Sequence, residues 1–378
     1  MIVETGMDIV GIDRIERLRR MNLLKLVPTQ GKKGGDIMDY DRRTFLKQVG
    51  VGGAAVVGSK LAMRTAQAGT MGAGKGAKPA DPAMPRRMTL LTMRSGEDYT
   101  LGVKMEKGIL DVRKAAKALK SEAPITIDDL FRRGDQGLTE LVEKALSSGK
   151  GVFVEESQIE FGPCVTNPEK IICVGLNYAK HARETNNPIP KLPILFNKYN
   201  NTLNCHQGTI RVSSIPGHQF DYEGELVVVM GRRAANVSEA EALSSVFGYY
   251  NGNDFSVRDL QMRSSQWMIG KTCDGCAPIG PYLVTADQVP NPNNLKIECT
   301  VNGEVRQSSN TNDMVFNCAQ IVSYTSKLMT LEPGDIIFTG TPEGVIIGYP
   351  KEKQVWLKPG DKLTVKIEKL GELRFSLT

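Results

Sequence analysis

The stretch Asp221-Tyr222-Glu223-Gly224-Glu225-Leu226, running into Val227-Val228-Val229, constrains this chain more than any other. A strand sends alternate side chains to one face, so Glu223 and Glu225 point the same way and lead straight into a segment built for burial. Two neighbouring carboxylates cannot both ionise cheaply unless a cation joins them. Asp254, in Asn253-Asp254-Phe255-Ser256-Val257-Arg258-Asp259, follows a second apolar run from Val246 to Tyr250 and is placed to complete a set of three. Three carboxylates with no histidine among them favour a hard divalent ion, Mg2+ or Mn2+ with Ca2+ as a further candidate, over zinc. Taken alone, Glu-x-Glu is also the pattern of a solvated edge strand, so the acids need support from the rest of the chain.

That support is spread over the C-terminal half. The segments are Lys170-Ile171-Ile172-Cys173-Val174-Gly175-Leu176-Asn177-Tyr178-Ala179-Lys180-His181-Ala182-Arg183-Glu184, Pro193 to Lys198, the acid strand, and Asn253 to Gln261. Gly270-Lys271-Thr272-Cys273-Asp274-Gly275-Cys276-Ala277-Pro278 and Val301-Asn302-Gly303-Glu304 follow. The series closes with Leu331-Glu332-Pro333-Gly334-Asp335, Thr339-Gly340-Thr341-Pro342-Glu343-Gly344-Val345 and Leu357-Lys358-Pro359-Gly360-Asp361. In this order, from about Asn167 to Thr378, the chain resembles the fumarylacetoacetate hydrolase family. The resemblance implies an α+β, β-rich fold: a C-terminal mixed β-sandwich roll over 167–378, preceded by a small N-terminal α+β domain over 88–166. It implies Glu223, Glu225 and Asp254 as metal ligands and His181 with Glu184 as a water-activating dyad. Lys271 would stabilise an enolate, and Lys198, Arg258, Gln261 and Thr341 would contact substrate.

The residues themselves say less. His181 and Glu184 meet only if their segment is helical, since i and i+3 share a helix face. Arg258 is equally readable as a structural ion pair with Asp259 or another acid. His206 and His218 match no such motif and read as surface or structural. No Gly-x-Ser-x-Gly elbow and no His-Glu-x-x-His is present, so serine and zinc hydrolase mechanisms lack their parts. The expected activity is metal-dependent hydrolysis of a carbon–carbon bond in an acylpyruvate-like or β-diketo acid. The alternatives are an isomerase, hydratase, lyase or decarboxylase of 2-oxo or 2-hydroxymuconate-type acids, or an exported metal-dependent oxo-acid binding protein. A binder would have no use for the dyad.

The front of the chain reads as an address. Asp41-Arg42-Arg43-Thr44-Phe45-Leu46-Lys47, the apolar stretch from Val49 to Gly58 and Ala66-Gln67-Ala68 resemble a twin-arginine signal peptide over 38–68, cut after Ala68. Export machinery is then a partner, and the periplasm the destination; without the signal the protein would be cytoplasmic. Residues 1–37 end in Gly31-Lys32-Lys33-Gly34-Gly35-Asp36 just before Met38, the form a ribosome-binding site takes if translated, so Met38 is the expected start. A Gly/Ala/Lys/Pro linker spans 69–87. Met1 to Ala68 hold 12 Lys+Arg against 7 Asp+Glu, leaving 36 against 35 in the body, so the formal +6 gives no basic stripe for nucleic acid. A small-molecule substrate and a homodimer are the expected partners.

Within 88–166, Thr89 to Met93 and Tyr99 to Val103 predict a hairpin, and Leu110–Leu119 and Leu138–Leu146 predict helices. Another helix is expected over Asp313–Met329. The seven cysteines, an odd number, form no disulfide framework. Cys273-Asp274-Gly275-Cys276 reads as loop packing, or as a local disulfide in an exported chain.

Overall fold

The computed structural model describes residues 83–378; the expected signal peptide, upstream extension and linker up to Pro82 lie outside the described residues. An eleven-stranded sheet organises this part of the chain. Across it run Phe153–Val154, Gly108–Asp111, Asp98–Met105, Thr89–Ser95, Ala277–Thr285, Val246–Asn253, Gly224–Met230, Ile336–Phe338, Ile171–Gly175 and Ile194–Lys198, with Leu203–Cys205 also pairing with Ala277–Thr285. A five-stranded sheet follows the order Glu304–Asn310, Lys296–Val301, Lys362–Ile367, Glu372–Leu377, Thr209–Ile210.

The central strand shows why the layers form. Leu226, Val228 and Met230 join Ile297, Cys299, Val365 and Phe375 in one buried cluster, which includes the inner face of the five-stranded sheet. Val227 and Val229, one residue out of phase, join a second cluster with Ala115, Leu130, Phe131, Leu138 and Leu141 from helices Val112–Leu119, Ile127–Arg133 and Leu138–Ser148. A strand covered on both faces must be apolar on both, and the run Leu226–Met230 is fully buried. The α+β, β-rich class and the mixed sandwich are therefore as expected from the sequence.

Residues 88–166 contribute four strands to the large sheet rather than a sheet of their own. Leu90 pairs with Leu283 on one side and with Val103 on the other, so hydrogen bonding continues across the boundary anticipated at residue 166. The predicted hairpin turns between Ser95 and Asp98. Asp111 caps the helix Val112–Leu119 by accepting from the Lys114 amide. The helix expected from Asp313 instead starts at Cys318, because Asn317 and Gln320 form a reciprocal capping box there.

His206 is a structural residue. Its Nδ1 accepts the Arg374 amide at 3.1 Å, and its ring meets Phe161 edge-on. Burial, with the Arg374 charge nearby, lowers its pKa from 6.5 to about 4. Between those values the unfolded chain binds a proton that the native protein does not, so stability falls as pH falls through that window. Thermal melts from pH 7 to pH 4 are expected to drop more steeply for the wild type than for His206→Gln. Equal slopes would assign the loss to other groups.

Candidate active site

The carboxylates come together where two paired strands end. Gly224 pairs with Asn253, and the Asp254 amide donates to the Glu223 carbonyl at 2.9 Å, so Glu223 and Asp254 emerge side by side. Glu225 follows on the strand itself. One oxygen from each of Glu223, Glu225 and Asp254 lies within 4.8 Å of the others, all three side chains being buried.

Cations surround two of the three. Lys271, presented at the end of the short turn Trp267–Gly270, reaches Glu223 Oε2 at 2.8 Å and Asp254 Oδ2 at 2.7 Å. Arg258 Nη1 meets Glu223 Oε1 at 2.7 Å, while its Nε holds Asp221 Oδ2 at 2.8 Å. Lys198 Nζ meets Asp254 Oδ1 at 2.6 Å. Among the described residues, Glu225 receives only the Gly340 amide, at 2.7 Å. Gly340 has φ +99°, and a Cβ there would come within 2.7 Å of Asn177 Cβ, so this donor needs glycine.

The charge count favours a further cation. Four buried acids, Asp221, Glu223, Glu225 and Asp254, face three buried cations, Arg258, Lys198 and Lys271. Burial, with the Asp254 and Glu223 charges close by, holds the Glu225 carboxyl well above the usual carboxylate range. Glu223 is shifted the other way: burial would raise it, but Lys271 and Arg258 prevail and hold it well below that range. An all-oxygen trio with one uncompensated carboxylate has the donor set of a divalent-cation site. No other group of three or more histidine, cysteine, aspartate or glutamate side chains converges in this way among the described residues.

Glu223 and Glu225 open onto a cavity of about 480 Å³, whose wall also includes His181, Glu184, Arg258, Gln261, Lys271 and Thr341. The segment expected to turn does so: Ala179–Glu184 is helical, and His181 Nδ1 lies 2.8 Å from Glu184 Oε1. Glu184 Oε2 accepts the Gly344 amide at 2.9 Å, which ties the dyad to the loop after Thr341.

Two expectations, for Lys198 and Thr341, need adjustment. Lys198, anticipated as a substrate contact, is wholly buried on Asp254 and is not part of the cavity wall; the end of its strand drives it behind the trio. Of the acids open to Arg258, it pairs with Asp221 and Glu223, while Asp259 holds His218 Nδ1 at 3.1 Å. Thr341 lines the cavity, but its hydroxyl donates to the Gly224 carbonyl and accepts from Gln307 Nε2, so it braces the acid strand. Gln261 accepts from Arg258 Nη1 at 3.0 Å and also faces the cavity.

Two residues went unread. Asp221 accepts the Ile346 and Ile347 amides and so anchors the loop that forms part of the cavity wall. Its signal was present, two positions before Glu223 in the same alternation. Lys351 also lines the cavity, and among the described residues it has no carboxylate partner. Nothing in its Lys-Glu-Lys context distinguishes it from an ordinary surface lysine.

A fold and a site of this kind define a family. Residues 170–378 match the fumarylacetoacetate (FAA) hydrolase C-terminal family, and the chain belongs to it. A mitochondrial oxaloacetate tautomerase of Xenopus laevis is 37% identical over 77% of this chain and 90% of its own length. The Bos taurus tautomerase FAHD2A is 41% identical over 70% of this chain and 82% of its own. Among solved structures, the Exiguobacterium antarcticum fumarylacetoacetate hydrolase superposes with TM-score 0.65 at 30% identity, covering 77% of this chain and 99% of that one. A Sphingobium maleylpyruvate hydrolase solved with manganese(II) and pyruvate gives TM-score 0.62 at 29% identity, with the same coverage.

Proposed function

We propose that this protein is a divalent-metal-dependent acid–base enzyme that interconverts the keto and enol forms of a short 2-oxo diacid such as oxaloacetate. The observation that carries this reading is the His181–Glu184 pair on the wall of the same cavity that exposes Glu223, Glu225 and Lys271. With Nδ1 engaged by Glu184, the neutral imidazole presents Nε2 as a base. His181 takes a proton from the carbon next to the 2-oxo group, and Glu184 stabilises the imidazolium that results. The electron pair moves onto the 2-oxo oxygen, where the buried ammonium of Lys271 favours negative charge, and return of the proton from the imidazolium to that oxygen gives the enol and restores neutral His181. A divalent cation held by Glu223, Glu225 and Asp254 would supply Lewis-acid stabilisation to that same charge. Arg258 and Gln261 brace the carboxylates and line the substrate's side. The named activity of the vertebrate relatives, shared across most of their length, supports tautomerisation.

Hydrolysis of a carbon–carbon bond in an acylpyruvate is the second reading, favoured because the same dyad can activate water and a solved relative is a maleylpyruvate hydrolase. Purified protein with Mg2+ or Mn2+ would be offered enol oxaloacetate and a series of acylpyruvates. Accelerated ketonisation without acylpyruvate cleavage is the expected result. Cleavage with no effect on ketonisation would replace the first reading with the second.

Lys351 suggests the diacid. With Lys271 placed at the 2-oxo oxygen, Lys351 and the unpartnered Nη2 of Arg258 are left on the cavity wall to receive a distal carboxylate. Lys351→Met is expected to raise KM for oxaloacetate by roughly tenfold with little change in kcat, the signature of lost uniform binding. KM for a 2-oxo monoacid should not move; an equal rise for both would show that Lys351 does not read the second carboxylate.

Export is a separate proposal, resting on the twin-arginine segment alone. The mature protein would begin at Gly69, and Arg42→Lys with Arg43→Lys would trap folded precursor inside the cell. Fractionation that finds the wild-type protein wholly cytoplasmic with an intact N-terminus would refute it.

A further inference from the structure

The metal site leaves one sequence motif unabsorbed. Cys273-Asp274-Gly275-Cys276 is a turn closed by the Cys276 amide donating to the Cys273 carbonyl at 3.2 Å, with Gly275 at φ +71°. Such a turn brings its first and fourth Cα atoms within about 7 Å, close to the span of a disulfide. Both thiols are free. The neighbouring Cys276 thiol holds Cys273 below the ordinary cysteine value, Lys198 adding in the same sense against the cost of burial, while the Cys273 thiol itself lies 3.9 Å from the Ile269 carbonyl oxygen. Their access differs: Cys276 is buried and Cys273 is partly buried. A reachable thiol of lowered pKa beside a sheltered one is the arrangement of an attacking and a resolving cysteine.

The turn is also joined to the active site. Lys271, two residues earlier, bridges Glu223 and Asp254. Asn201 Nδ2 donates to the Thr272 carbonyl at 3.0 Å and to Asp274 Oδ1 at 2.6 Å, and the Gly275 amide donates back to the Asn201 carbonyl at 3.0 Å. Trp267, at the start of the short turn that ends beside Lys271, packs edge-on against Phe196, and the Lys271 ammonium lies 5.3 Å from the centre of the Phe196 ring. A strain introduced between Cys273 and Cys276 therefore has a short covalent path to the ammonium. Zinc does not explain the pair, because no further metal-ligating side chains converge on it among the described residues.

We propose that Cys273 and Cys276 form a reversible dithiol–disulfide site, oxidised by a low-molecular-weight disulfide, whose state alters how Lys271 is held against the carboxylates. The Cys273 thiolate attacks one sulfur of the small disulfide and breaks its S–S bond; one half leaves as a thiolate and takes up a proton, and the other remains on Cys273 as a mixed disulfide. Cys276 then loses its proton and attacks the Cys273 sulfur, expelling the second half as a thiol. Two protein thiols are oxidised and one small disulfide is reduced to two thiols.

The test uses the full chain, with Trp356→Phe so that Trp267 is the remaining tryptophan, equilibrated with oxidised glutathione. Intact mass should fall by two hydrogens, with Cys273 and Cys276 both protected from alkylation. Trp267 emission should change and return on reduction. Cys276→Ser should stop at a glutathione adduct on Cys273, and Cys273→Ser should gain neither a disulfide nor an adduct in this turn. A wild-type protein that forms only adducts, or none, would overturn the site. A disulfide that leaves both Trp267 emission and Mn2+ affinity unchanged would overturn its link to Lys271. None of these readouts depends on which substrate the enzyme turns over.

Discussion

Glu225→Gln is expected to abolish Mg2+- or Mn2+-supported activity, lowering turnover by about a thousandfold or more, while leaving the metal-free fold at least as stable as the wild type. The first half follows from the donor set, since a hard ion held by three carboxylates has no nitrogen or sulfur ligand to fall back on, and Lewis-acid stabilisation is worth several kcal/mol. The second half follows from the charge count. Glu225 is the acid without a cation, whereas glutamine keeps an oxygen for the Gly340 amide and sheds the unpaired charge. Because burial and its acidic neighbours raise the folded-state pKa of Glu225, metal-free native protein holds a proton that the unfolded chain releases near the usual carboxylate pKa. Metal-free stability is therefore expected to fall as pH rises from that point toward the raised value, and Glu225→Gln should lack this slope. Calorimetric Mn2+ titration and melts across pH check both halves; a variant that still binds Mn2+ like the wild type would remove Glu225 from the ligand set.

His181→Ala is expected to leave Mn2+ binding intact and to lower kcat by roughly 100- to 10,000-fold, the usual scale for loss of a general base. His181 contacts Glu184 rather than the trio, so the two variants separate metal loading from proton transfer. Glu184→Gln should fall between wild type and His181→Ala, since it keeps the imidazole and loses the charge that stabilises its protonated form. Steady-state kinetics with each variant saturated in metal decides the matter, and an unchanged kcat in His181→Ala would place the base elsewhere.

Much of the site was legible because its parts are local. Alternation alone aimed Glu223 and Glu225 together, and i, i+3 spacing brought His181 to Glu184 once the segment turned. What the sequence concealed is tertiary. Lys198 belongs to a family motif, yet whether its ammonium faces the cavity or Asp254 depends on how its strand packs behind residues more than fifty positions away. Asp221 shares the alternation of the glutamates, but its role comes from Arg258 and from amides at 346 and 347. The fold divides in the same way. The 89–105 hairpin and the helices Val112–Leu119 and Leu138–Ser148 were written in short-range periodicity, whereas the helix Ile127–Arg133 was not anticipated and pairing of Thr89–Ser95 with Ala277–Thr285 joins segments nearly 200 residues apart and leaves no local trace. Packing by Cys273 and Cys276 is as expected, Cys276 lying in the core cluster with Cys273 against it, whereas the closure of their turn is not visible in one dimension.

The most direct test of metal-assisted proton transfer at a 2-oxo acid is the rate of enol-to-keto conversion of oxaloacetate by protein stripped with chelator and then titrated with Mn2+. Conversion should rise with the fraction of sites filled, saturate near one ion per chain, and stay near background in Glu225→Gln and His181→Ala. Full conversion by stripped wild-type protein in excess chelator would contradict it.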